Sequence, residues 1–236
     1  MPARVVPDEL LTYLRAGAPP VPLTPLEQWV GTSPRFATFV DEYRDNVRKK
    51  LRSAREPDGV RDVLCELETA FYLLREPRFS LAYEAYVATQ QRAPDFTLTY
   101  RTHLACHVEA ARLRTSPAPD AERLGELIAG KLGQMLPSAP NVLVVAARAL
   151  PEVPLEQVLK QLQSRAERDD ALLFARAHVR NRSEFFKFYT RLSAVILRGL
   201  WDVEAQRAPL RWLNKQARHP LPAQVMRPLL ACFTPP

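Results

Sequence analysis

Residues 94–114, PDFTLTYRTHLACHVEAARLR, place two acids at a spacing that can do chemistry. Pro94-Asp95 opens one segment of alternating polarity, and Val108-Glu109 lies in the next. In a strand, alternate residues share a face. Asp95, Thr97, Thr99 and Arg101 then lie on one face of the first strand, opposite Phe96, Leu98 and Tyr100. On the second, Ala105, His107, Glu109 and Ala111 lie opposite Leu104, Cys106, Val108 and Ala110. A hairpin between them brings Asp95 and Glu109 to one polar face. Two converging carboxylates suit Mg²⁺, a hard cation held by few carboxylates together with substrate phosphate.

The elements that must position these acids follow from periodicity. Helical spacing predicts helices over about 34–54 and 59–75, the first with Ser33 as N-cap and Pro34 at N1. Period-two alternation predicts strands at 79–87, 95–101 and 104–113. A helix follows from about 117–120 to 135, then NVLVVAA (141–147) as a buried strand. A helix over 154–168 and strands at 192–199 and 209–214 complete the pattern, with a loop and short helix at the Pro-rich end. Residues 1–32 are expected to be a Pro-rich arm with one short helix, and 33–236 a single domain. Sequential strands followed by an αβ crossover imply an α/β fold, a mixed sheet flanked by helices.

This order of elements and acids resembles the PD-(D/E)XK nuclease superfamily over about residues 58–148. The resemblance implies the restriction-endonuclease-like fold and Mg²⁺-dependent cleavage of DNA or RNA. It matches Asp95 to the family's metal-binding Asp, Glu109 to its (D/E), and Glu66 or Glu68 to an acid on the preceding helix. Both helix acids flank the apolar stripe, so periodicity does not choose between them.

The chain departs from the family at its lysine. The family pattern has Lys two residues after the acid, where its ammonium stabilises developing charge. Here that residue is Ala111. Arg112 points to the opposite face on a regular strand and cannot act as a base. Lys131, with Gln134 on the next turn, is a candidate for a migrated lysine, and His107 shares the face of Glu109. The alternative is a catalytically inactive module of the same fold that binds nucleic acid or a partner protein. Cys106 and His107 point to opposite faces, which disfavours a shared zinc ion. Phe185, Phe186, Phe188 and Tyr189 read as a core helix face.

Composition narrows the classes. The 236 residues are 47% hydrophobic and 25% charged, with 22 Pro and 7 Gly. GxGxxG and GxxxxGK[ST] are absent, which argues against a P-loop or Rossmann nucleotide enzyme. No uncharged apolar run reaches the roughly 20 residues of a membrane span. Three cysteines without a CxxC disfavour a disulfide framework, and reduced thiols imply a cytoplasmic protein. The net charge of +7 is uneven, since residues 171–236 hold 11 basic and 3 acidic residues. A second basic run spans Arg48, Lys49, Lys50, Arg52 and Arg55. Such patches attract phosphate backbones. Nucleic acid, DNA ahead of RNA, is therefore the expected partner, with a homodimer or a protein partner as further expectations.

Overall fold

The computed structural model describes residues 6–84, 94–114, 120–148, 154–201 and 208–234. The chain divides into two compact units, Met1–Pro77 and Arg78–Pro236.

The described part of the first unit is helical: α1 (Pro7–Arg15), α2 (Thr24–Thr32), α3 (Pro34–Glu42), α4 (Arg44–Ser53) and α5 (Pro57–Leu73). Residues 1–32 thus carry two helices where one was expected. The prolines there start helices: both α1 and α2 have Pro in the first turn, where its missing N–H costs no hydrogen bond. Ser33 does cap α3, its side chain accepting from the Phe36 N–H at 3.3 Å. The single helix expected over 34–54 is broken at Tyr43, which leaves helical geometry at φ −105°, ψ 20°. The bend keeps Val47 and Leu51 buried on α4. The aromatic core is specific: Phe71 stacks on Trp29 at 5.8 Å and meets Phe36 edge-on at 5.6 Å.

The second unit is an α/β domain built on one six-stranded mixed sheet. Its strands are β1 (Phe79–Tyr83), β2 (Phe96–Tyr100), β3 (Leu104–Leu113), β4 (Asn141–Ala147), β5 (Leu192–Gly199) and β6 (Leu210–Leu213), ordered as in the chain. β1, β2 and β3 form an antiparallel meander. β3, β4 and β5 are parallel, and β6 returns antiparallel. The parallel pairs require crossovers. The first is α6 (Asp120–Leu132). The second carries α7 (Leu155–Glu167), α8 (Ala171–Ala177) and α9 (Arg182–Tyr189). These helices pack over alternate residues of the sheet, among them Leu143, Val145, Val195 and Leu197, with Phe185 and Tyr189 fully buried beneath them. β4 is buried at every residue, as expected of a strand flanked on both sides. Arg198 alternates to the other face, where its guanidinium lies 5.7 Å from the Phe233 ring just after α10 (Ala223–Cys232). Helix α8 has no counterpart in the sequence reading. Asp170 starts it by accepting from the Leu173 N–H, while Arg165 binds the same carboxylate at 2.7 Å.

Asn141 ties the first crossover to the sheet. Its side chain accepts from the Leu136 N–H and donates to the carbonyls of Leu136, Ala139 and Arg191 at 2.8–3.0 Å. One buried amide thereby fixes the end of the α6–β4 loop against the start of β5. Cys65, Cys106 and Cys232 are buried and are not joined in disulfides. No helix among the described residues is long and apolar enough to cross a membrane.

Candidate active site

The β2–β3 pair is the expected antiparallel hairpin, in a register that keeps the expected faces together. Thr97 faces His107 and Leu98 faces Cys106, and the last pair is Phe96 with Val108. One residue beyond that pair on the two strands stand Asp95 and Glu109. Asp95 is half-buried, and its Oδ2 accepts from the backbone N–H of Ala110 at 2.8 Å. Its carbonyl accepts from the N–H of Glu84, a residue held at φ 47°. The carboxylate of Asp95 is therefore oriented by the backbone of the strand that carries Glu109.

Glu109 is only 5% exposed and lies beside Leu143 of β4, on the face that α6 to α9 cover. Burying a carboxylate demands a compensating charge. Lys131, in the last turn of α6, supplies it: Nζ lies 2.6 Å from Glu109 Oε1. Lys131, the residue the sequence offers as a candidate for a migrated lysine, thus contacts Glu109 from the following helix, while the strand carries Ala111. Ala111 itself packs against the apolar cluster.

His107 is buried on the same face, with its Nδ1 3.5 Å from Thr97 Oγ1. Burial pushes its pKa below the ordinary imidazole value, so the neutral ring is favoured. Cys106 lies on the opposite face, its thiol pushed up to about 12 by burial. The register therefore separates Cys106 from His107, as expected.

The helix acids take other roles within the first unit. Glu66 accepts from Lys50 Nζ at 2.6 Å, and Glu68 is fully buried. Burial separates the two acids where periodicity did not. The pair with Lys50 also assigns part of the basic run at 48–55 to structure. Arg48 joins it there, donating to the Ala16 carbonyl and lying 4.4 Å from the Tyr13 ring. Arg191 is likewise a tie within its unit, donating to the Met135 carbonyl and lying over Phe188.

Beside Lys131 the surface opens into a cleft of about 410 Å³. It is lined by Arg112 and Arg114 at the end of β3, Arg123, Glu126 and Lys131 on α6, and Arg176 on α8. Arg123 and Arg176 were not singled out in the sequence. The signal was present as a 3.6-period stripe along α6, at positions 123, 127, 130, 131 and 134.

No group of three or more His, Cys, Asp or Glu side chains among the described residues is placed to hold a metal ion. Asp95 and Glu109, one residue beyond the Phe96–Val108 pair on adjacent strands, are the two carboxylates that the resemblance assigns to Mg²⁺, with Lys131 on Glu109 Oε1 and the Ala110 N–H on Asp95 Oδ2. Comparison with protein-family models, curated proteins and solved structures returns no match to this chain.

Proposed function

We propose that this chain is a metal-dependent nuclease of divergent PD-(D/E)XK type with the restriction-endonuclease-like fold. The observation that carries the reading is the contact of Lys131 Nζ with Glu109 Oε1 at 2.6 Å. It supports the reading because it pairs the acid with a lysine although the strand carries Ala111. The element order α5, β1, β2, β3, α6, β4 supports the same reading, with the two acids on adjacent strands.

The roles follow from placement. Asp95 and Glu109 would hold Mg²⁺. When bound, the ion supplies a Lewis acid for a phosphoryl oxygen and a water of lowered pKa. Glu109 keeps Lys131 charged and directed at the site. The ammonium is preorganised to stabilise the negative charge that develops on the phosphoryl oxygens. The Ala110 N–H holds Asp95 in one rotamer, which reduces the reorganisation needed at reaction.

A second reading is a nucleic-acid-binding module of the same fold without cleavage. The backbone hydrogen bond on Asp95 Oδ2 favours it, because that oxygen already has a donor.

The test is incubation of labelled single- and double-stranded DNA and RNA with Mg²⁺, Mn²⁺ or EDTA. Wild type is compared with Asp95→Ala and Glu109→Ala. Cleavage that needs metal and is lost in both variants is the expected result. Salt-sensitive binding without cleavage in any metal selects the second reading. Silence in both channels contradicts both and directs the search to a partner protein.

A further inference from the structure

The basic cleft has the form of a track and not of a single-anion pocket. Its α6 wall repeats at positions 123, 127, 130 and 131, one face of the helix running about 12 Å along the axis at 1.5 Å per residue. Five of its side chains are cationic; among them Arg176 pairs with Glu126 at 3.1 Å and Lys131 with Glu109 at 2.6 Å. Lys131 belongs both to this wall and to the Glu109 pair, so one end of the cleft adjoins the residue that contacts Glu109. A second observation concerns shape. Gly130 lies within the helix at the cleft, where a Cβ would meet only the Arg176 carbonyl at 3.7 Å. Packing does not demand glycine there, and its helix propensity is poor. Its effect is to leave the cleft floor open between Leu127 and Lys131.

We propose that this cleft is a phosphate track that carries one strand of a nucleic acid up to the Glu109–Lys131 pair. The inference rests on the nuclease reading for the identity of its ligand, and names the surface through which the substrate is held. Arginine suits the role, since its planar fork recognises phosphate oxygens bidentately. A single phosphate would not need cations spread along more than two helical turns, whereas successive phosphates of one strand would.

Binding is separable from cleavage by working in EDTA. Anisotropy of a labelled oligonucleotide, single- or double-stranded, is followed against KCl for wild type, Arg114→Gln, Arg123→Gln and Gly130→Leu. Each arginine substitution is expected to reduce the slope of log K against log[salt] by about 0.7 to 0.9. Gly130→Leu, which changes no charge, is expected to weaken binding at every salt concentration. Unchanged far-UV dichroism and melting temperature certify each variant. Wild-type affinity and slope in all three variants would overturn the proposal, as would equal competition by polyglutamate of matched charge. If the variants lose binding while no metal gives cleavage, the track stands and the nuclease reading falls. If cleavage persists and the variants bind as wild type, the reading stands and the track falls.

Discussion

Glu109 and Lys131 form the one charged contact on which the proposed chemistry turns, and their burial makes it measurable. The glutamate side chain is 6% exposed and the lysine 27%. Removing one partner of such a pair costs more than the pair itself contributes, because the remaining charge stays in a poorly solvated site. Lys131→Met is expected to destabilise the fold by about 3 kcal/mol in guanidinium denaturation. The double variant Glu109→Gln/Lys131→Met should cost less than the sum of the singles, since neither charge then remains. Additive losses would show that the two residues do not interact. The shared face of Asp95 and Glu109 was legible from strand alternation, whereas the lysine looked for at position 111 came from the family resemblance and not from alternation. The separation of Glu66 from Glu68 was not, because both border the same stripe and only tertiary packing buries one and pairs the other.

The crossover elements decide where Lys131 stands. Asn141 makes four hydrogen bonds that pin the α6–β4 loop, so it acts on the site as a positioning residue. Asn141→Ala leaves buried carbonyls without their donor and is expected to cost about 3 kcal/mol. Faster amide exchange at residues 133–141 would check that the loss is local before it is global. Helix α8, which presents Arg176 to the cleft, begins at Asp170. The Arg165 hydrogen bond and the Leu173 N–H hold the Asp170 carboxyl below the ordinary value of 3.8. A depressed folded-state pKa contributes stability above the unfolded value, and that contribution is lost as pH falls through the folded one. Asp170→Asn should therefore be less stable than wild type at pH 7, with the difference vanishing in strong acid. Asp170→Ala, which also removes the cap, should cost about 1 kcal/mol more than Asp170→Asn. A wild-type–variant difference independent of pH would refute the assignment. β3 was legible residue for residue from its alternation, and β4 and β5 from their bounded apolar runs. Of the two N-terminal helices, α1 was expected, and α2 was missed because proline was read as extended chain and not as a helix start. Helix α8 was missed because it spans only seven residues.

At the scale of the molecule, the basic balance of the chain is partly structural. Arg48, Lys50, Arg191 and Arg198 are engaged inside their own units. The surface proposed above to receive a polyanion is the α6 cleft, to which the basic C-terminal region contributes Arg176. Net charge alone does not locate a basic surface, because a count cannot distinguish a guanidinium folded onto carbonyls from one lining a groove. The most direct measurement of the central claim is single-turnover cleavage of labelled DNA and RNA in Mg²⁺. Wild type, Lys131→Met and Ala111→Lys/Lys131→Met are compared. The account predicts a fall of about 10²- to 10³-fold for Lys131→Met, the usual loss on removing one preorganised stabiliser of the transition state. It predicts partial recovery when lysine is returned to position 111, two residues after Glu109. Cleavage by Lys131→Met at the wild-type rate, or no cleavage by the wild type in any metal, would contradict it.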